Sequence, residues 1–344
     1  MTVLADLTTL RIGGPAARLV EATTADEIVD AVRAADDAGE SVLVLGGGSN
    51  VVIADEGFDG TVVLVRSRGV EVTVDGCAGA WVAVAAGEVW DDVVARAVDE
   101  EWAGVEALSG IPGLAGATPM QNVGAYGAEI GDVLARVTAY DRRTRRVDVI
   151  PVGDCGLGYR DSMFKREPGR YVVLAVTMQL PLGDMSAPIR YAELASTLGV
   201  EVGERAPAVR VREAVLELRR SKGMVLDAND HDTWSVGSFF TNPMVSVQVA
   251  DTLPADAPRW PVESAAGDSD ARVKLSAAWL VQHAGFERGF TLDGRAGLST
   301  KHTLALTNRG GASAADLMGL ADHIRRGVHD RFGIDLVPEP TVLL

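Results

Sequence analysis

Apolar residues in the first half of the chain keep two rhythms. Ile28, Ala31, Val32 and Ala35 recur at the helical period behind Thr24 and Glu27, which have capping-box spacing, and Gly39 closes the run. A helix is predicted there. Val42–Leu45 is an unbroken apolar run of strand length ending on Gly46-Gly47-Gly48-Ser49-Asn50, and strand-like sequence resumes at 51–53 and 62–65. Residues 70–74 and 81–85 alternate on either side of the turn Asp75-Gly76. Trp90, Val93, Val94 and Ala97 return to helical spacing, and 136–140, 147–150 and Tyr171–Leu180 read as further strands. Pro, Gly and Glu accumulate from 181 to 210, the candidate domain junction. Beyond it Val211, Ala214, Val215 and Leu218 predict a helix ending in Arg219, Arg220 and Lys222, where cations complement the helix dipole. Residues 254–272 read as surface loop, 274–283 as helix and 303–307 as strand. The last helix is capped by Ser313 and carries Leu317, Leu320, Ala321, Ile324 and Val328 on one face. Strands in succession with few helices between them make the class α+β.

At 344 residues the chain exceeds the roughly 250–300 at which one core stops growing, so two or more domains are expected. Lys and Arg number 32 against 48 Asp and Glu, a net charge of −16 that argues against a nucleic-acid or anionic-membrane partner. An anionic substrate would need locally gathered cations. Cys77 and Cys155 have neither metal-site spacing nor a disulfide framework, and no metal is expected. The opening MTVLADLTTLRIGG lacks a basic segment followed by an apolar one, and no run spans a bilayer. These features predict a soluble cytoplasmic protein.

Residues 109–133 are the densest glycine region, with Gly110, Gly113, Gly116, Gly124, Gly127 and Gly131 and only Glu129 and Asp132 charged. Such a stretch is either a connection with many turns or a backbone cradle whose N–H groups face anionic oxygens. The loop after Leu45 also offers donors, yet it lacks the third glycine of GxGxxG and is followed by strand-like sequence. It is not a Rossmann start.

Six motifs in order, LGGGSN (45–50), IPGLAGATPMQNVGAYGAE (111–129), YRDSMFK (159–165), GSFFTNP (237–243), KLSAAWL (274–280) and PEP (338–340), make the chain resemble the UDP-N-acetylenolpyruvoylglucosamine reductase family over essentially its whole length. The resemblance is to the subtype with a tyrosine loop over the substrate. It implies an FAD-binding unit of the vanillyl-alcohol-oxidase type in two parts, 1–66 and 67–205, and a UDP-sugar domain over 206–344. The implied FAD is non-covalent and held by Gly46, Gly47, Gly48, Ser49 and Asn50, by Ile111, Pro112, Gly113, Gly116, Ala117 and Thr118, and by Gln121, Asn122, Gly124, Ala125, Tyr126 and Gly127. The implied reaction is NADPH-dependent reduction of UDP-N-acetylglucosamine enolpyruvate by a monomer, in peptidoglycan precursor synthesis.

The carboxylate of an enolpyruvyl ether is the only electron sink for hydride addition, so the site needs a cation there and a proton donor at the neighbouring carbon. The resemblance gives Arg160 and Glu339 to the carboxylate and Ser238 to the proton. Taken alone, Arg160 reads as a turn residue, Ser238 as a cap or turn serine, and Glu339 as a solvated carboxylate. Tyr159, Tyr191, Arg219, Lys222, Asn242 and Lys274 match or adjoin substrate positions. His302 is either such a residue or a structural one. The link between Lys222 and Gly237, MVLDANDHDTWSV, is longer and more acidic than in the best-known members. A flavin oxidase on the same fold and a nucleotide-sugar-binding protein without catalysis are the competing readings. The presence of Arg160, Ser238 and Glu339 together argues against the oxidase, and the presence of Ser238 with an unbroken glycine loop argues against the binding protein.

Overall fold

The computed structural model describes residues 2–262 and 271–344. By contact the chain divides into two units, one of Thr2, Pro15–Gly48 and Gly57–Val225, the other of Val3–Gly14, Ser49–Glu56 and Leu226–Leu344.

The first unit begins with β1 (Ala16–Ala22), α1 (Ala25–Asp37) and β2 (Val42–Leu45); β3 (Val51–Ile53) belongs to the other unit, and β4 (Phe58–Val65) returns to the first. Parallel pairing orders these strands β1-β4-β2. The Thr24 hydroxyl caps α1 by accepting from Glu27 N–H, while the Glu27 carboxylate reaches one residue further back, to Thr23 N–H at 2.7 Å.

A second sheet contains β5 (Val70–Asp75) and β6 (Gly79–Ala85). It continues, after α2 (Trp90–Asp99) and the short hairpin β7 (Gly124–Ala125) and β8 (Ala128–Glu129), with β9 (Leu134–Asp141), β10 (Arg146–Pro151) and β11 (Tyr171–Leu180). Its order is β10-β9-β11-β6-β5, antiparallel throughout. Both faces of β11 are covered, so its sequence is almost wholly apolar. Val172 and Leu174 join Ile28, Val32 and Val63, whereas Val173, Val176 and Met178 join Trp90 and Val94. The inward set changes parity because the register against β9 slips between Val173 and Ala175, a bulge that turns the strand over.

One-turn α3 (Met163–Arg166) precedes β11, and α4 (Ala192–Leu198) and α5 (Ala208–Ser221) follow it. Leu194, Ala195 and Leu198 share a small core with Val211, Ala214 and Val215. That core keeps α4 and α5 together, and both belong to the first unit, which ends at Val225.

The second unit contains β12 (Met244–Ser246), α6 (Val247–Ala250), β13 (Arg259–Val262), β14 (Arg272–Leu275), α7 (Ala277–His283), β15 (Ala296–Leu298), β16 (Leu306–Asn308), α8 (Ala314–Phe332) and β17 (Thr341–Leu343). The β14 strand lies between β12 and β13, β15 pairs with β16, and β17 runs parallel to β3. Lys274 is therefore a strand residue, and the predicted helix starts only after Ser276, which caps it by accepting from Trp279 N–H. The predicted loop 254–272 contains β13; its segment 263–270 lies outside the described residues. Buried Phe239, Phe240, Leu280, Leu317 and Ile324 share one core with Leu10 and Ile12 of the N-terminal segment. Asn308 fastens that segment. Its amide donates to Leu10 O (3.0 Å) and Arg11 O (3.2 Å), and its Oδ1 accepts from Gly310, Gly311 and Ala312. The α+β class read from the sequence is the class observed.

Candidate active site

The two glycine segments meet in the first unit. A Cβ placed on Gly47 would lie 2.9 Å from Gly113 Cα, and one on Gly116 would lie 2.5 Å from Ala86 Cβ. Only glycine allows backbone to lie on backbone this closely. Ala115 and Gly116 donate to Glu88 O and Ala86 O, which fixes the 113–116 turn at the end of β6. Thr118 spends its hydroxyl on Ala115 O at 2.8 Å, and Gln121 accepts from Lys165 at 3.5 Å. Among the described residues, the N–H groups of Gly46 and Gly47 donate to no protein acceptor. Free donors on a glycine turn at the C-terminal end of a parallel strand suit a pyrophosphate, so the residues present fit FAD. Cys155 is buried and Cys77 is exposed on the Asp75 turn. The expected cofactor loop is divided between Gly48 and Ser49, and Asn50 O accepts from Thr341 N–H in the second unit.

Arg160 is held by the second half of the glycine-rich stretch. Its Nη2 donates to Gly124 O at 2.8 Å and its Nη1 to Asn122 O at 3.5 Å. Gly158 and Asp161 exchange main-chain hydrogen bonds across Tyr159 and Arg160, and Arg160 sits in the left-handed region at φ +51°. The Arg160 guanidinium lies 5.7 Å from the Tyr159 ring centre. Asn122, expected at the cofactor, is 3% exposed and uses its side chain within the protein. Its Oδ1 accepts from Gly131 N–H (3.0 Å) and its amide donates to Glu129 (2.6 Å) and Gly158 O (3.2 Å). Glu129 is the residue that sequence reasoning passed over; the available signal was one of only two carboxylates in the glycine run, near its C-terminal end.

Three expected substrate residues gather in the first unit around a fourth residue, Tyr126, expected at the cofactor. Tyr126 and Tyr191 meet edge to face at 5.6 Å, and Lys222 Nζ lies 5.7 Å from the Tyr126 ring centre while pairing with Glu193. Arg219 closes α5 on Met224 O at 3.0 Å, and its buried Nε has no hydrogen-bond partner. Burial draws the Arg219 guanidinium below its usual range. Burial also pushes the Tyr126 hydroxyl up to about 12, and nearby Arg219 opposes that rise. An unspent donor on a desolvated cation suits an anionic ligand.

In the second unit the GSFFTN segment is edged on both sides. Phe239 N–H donates to Leu304 O at 2.7 Å, and Glu339 N–H donates to Phe239 O at 2.8 Å. Half-buried Ser238 thus lies in an irregular segment whose next residue, Phe239, is bonded to Leu304 on one side and to Glu339 on the other. His302 Nδ1 accepts from Leu304 N–H at 3.2 Å, which leaves the proton of the neutral ring on Nε2. Asn242 spends its Oδ1 on Ala277 N–H at the start of α7. Lys274 Nζ lies 5.9 Å from the Trp260 ring centre. The acidic link has a structural use. Asp230 pairs with Lys301, and Asp232 takes Arg309 and both the N–H and hydroxyl of Thr300. Those bonds to Thr300 and Arg309 keep the Asp232 carboxyl ionised below its usual range, against the effect of burial. Arg160 belongs to the first unit, Ser238 and Glu339 to the second.

A family model described as UDP-N-acetylenolpyruvoylglucosamine reductase, C-terminal domain, matches residues 229–343, and one described as FAD binding domain matches 16–149. The chain is 57% identical over 342 residues to the UDP-N-acetylenolpyruvoylglucosamine reductase of Cutibacterium acnes, covering 99% of this chain and 89% of that protein. It is 52% identical over 351 residues to that of Streptomyces coelicolor, covering 99% and 88%. The crystal structure of the Thermus caldophilus reductase aligns with a TM-score of 0.66 at 25% identity, over 100% of this chain and 98% of that one. No helix among the described residues is long and apolar enough to cross a membrane.

Proposed function

The chain belongs to the UDP-N-acetylenolpyruvoylglucosamine reductase family of FAD-dependent oxidoreductases in peptidoglycan precursor synthesis, and from that premise we propose that it reduces UDP-N-acetylglucosamine enolpyruvate to UDP-N-acetylmuramate in the cytoplasm, as a monomer, with NADPH as electron source. Bound FAD supplies the hydride relay between the two substrates. The sheet of β1, β2 and β4 and the five-stranded sheet are proposed as the two parts of its binding unit, with the Gly46–Gly48 and Ile111–Gly116 backbones taking the pyrophosphate.

The enolpyruvyl double bond accepts hydride at its methylene carbon, and the electron pair moves to the carbon bearing the carboxylate. Arg160, a planar and permanent cation, holds that carboxylate as its charge grows. Glu339 acts at the same group by sharing a proton. Ser238 gives its proton to the carbon that received the electron pair, which completes addition of one hydride and one proton. Tyr191, Arg219 and Lys222 hold the nucleotide diphosphate. The observation that supports the reading is the 2.8 Å bond from Glu339 N–H to Phe239 O, which joins the backbone of the proposed carboxylate residue to that of the residue following the proposed acid.

The test is anaerobic stopped-flow absorbance of the yellow protein after reduction by NADPH. Rapid flavin reoxidation on mixing with the enolpyruvate is expected. A reduced flavin that ignores the enolpyruvate but reacts with oxygen would overturn the assignment.

A further inference from the structure

We propose that Asn122 is the positioning residue for Arg160, setting both the root and the tip of its side chain; the proposal rests on the reading of Arg160 as the cation at the substrate carboxylate. The root of Arg160 is a two-residue turn closed by Gly158 N–H to Asp161 O (3.0 Å) and Asp161 N–H to Gly158 O (3.3 Å). That turn requires Arg160 in the left-handed region at φ +51°, a conformation that a residue with a Cβ adopts at a cost. Gly158 O also accepts from Asn122 Nδ2 at 3.2 Å, so the turn is pinned from outside itself. The tip rests on Gly124 O and Asn122 O, two residues apart on the same loop.

The clamp can face only one way. Gly131 N–H donates to Asn122 Oδ1, and Glu129 accepts from Nδ2, which fixes the amide with its donors toward Glu129 and Gly158. Asn122 is itself at φ +48°, a conformation asparagine tolerates better than most residues. The space beside Gly124 is filled by the side chains the clamp arranges. A Cβ there would meet Glu129 Cγ at 2.8 Å and Arg160 Nη1 at 3.3 Å.

Asn122→Asp separates this role from shape. It keeps the size, the left-handed tolerance and the bond from Gly131, but loses both donors and sets a charge against Glu129. Three properties of the holoprotein are compared with Arg160→Lys and the double variant: flavin reduction by NADPH, flavin reoxidation by the enolpyruvate, and calorimetric affinity for the enolpyruvate and for UDP-N-acetylglucosamine, which lacks the carboxylate. Asn122→Asp is expected to slow reoxidation about tenfold or more and to weaken the enolpyruvate alone. Flavin reduction should be spared, and the double variant should be no slower than Arg160→Lys. If Asn122→Asp does not retain flavin, Asn122→Gly, which keeps the backbone freedom and loses the clamp, carries the same expectation. Losses that multiply in the double variant, or that reach UDP-N-acetylglucosamine equally, would make Asn122 a structural residue and overturn the proposal. A slow Arg160→Lys beside a normal Asn122→Asp would overturn the positioning role alone. A normal Arg160→Lys would overturn the reading of Arg160 on which it rests.

Discussion

Gly47→Ala adds one methyl group where two backbones touch. The new Cβ would stand 2.9 Å from Gly113 Cα and 3.4 Å from Gly113 C, whereas unstrained carbon contacts lie at about 3.5–4.0 Å. Backbone has no rotamer with which to yield, so the two glycine segments must part by about 0.6–1 Å. Overpacking of this kind costs about 1–3 kcal/mol. If the same segments form the flavin cradle, the cost falls on binding and raises the FAD dissociation constant about 5- to 150-fold. Gly46→Ala is the control. Its Cβ would meet nothing nearer than Leu114 Cδ1 at 3.5 Å, an ordinary contact, and neither glycine is in the left-handed region. Fluorescence titration of the apoprotein with FAD measures both constants, and thermal melting of the apoproteins separates a lost cradle from a lost fold. Gly46→Ala should remain within about threefold of wild type. A Gly47→Ala protein that binds FAD as wild type does, or a Gly46→Ala protein as weak as Gly47→Ala, would refute the reasoning.

Ser238→Ala should leave flavin reduction by NADPH intact and slow reoxidation by the enolpyruvate about 10²- to 10⁴-fold, the range for loss of a general acid; equal loss in both half-reactions would remove Ser238 from the chemistry. Asp141 gives a pH prediction. Arg170 Nη2 at 2.7 Å, with the N–H groups of Arg143 and Thr144, holds its carboxyl down to about 2. A folded-state value below the unfolded one of about 3.9 stabilises the protein fully above that pH and loses its effect as pH falls toward 2. The stability difference between wild type and Asp141→Asn, measured by urea unfolding, should be constant above about pH 5 and shrink below pH 4; a difference flat to pH 3 would contradict it.

Local chemistry was legible wherever a neighbouring residue determined it. Thr24 and Ser313 cap the helices that their spacing predicts, and the alternation of 70–74 and 81–85 became an antiparallel pair. Lys274 is a strand residue where a helix was expected because it pairs on both sides, with Met244 and Trp260, and partners that distant in the chain leave no mark on the local sequence. The glycine segments announced close approach, yet nothing in their spacing told which glycine meets which. The side-chain use of Asn122 and Asn308 was equally silent. Each amide serves backbone groups on separate stretches, and such acceptors carry no signature in sequence.

The second unit draws on residues from both ends of the chain. Leu10 and Ile12 enter its core, β3 is the strand on which β17 lies, and Asn308 grips the carbonyls of Leu10 and Arg11. A ribosome delivers those N-terminal pieces first and their partners last. While Gly57–Val225 is being made and can fold, Val3–Gly14 and Ser49–Glu56 must wait without their core. Contacts across so long a separation are slow to form and leave apolar segments open to wrong partners. A fragment cut at Leu226 would lack the N-terminal core residues and the strand β3, so the unit is one body in space and three pieces in synthesis. Chaperone demand should therefore concentrate late in translation, when the first unit is already complete.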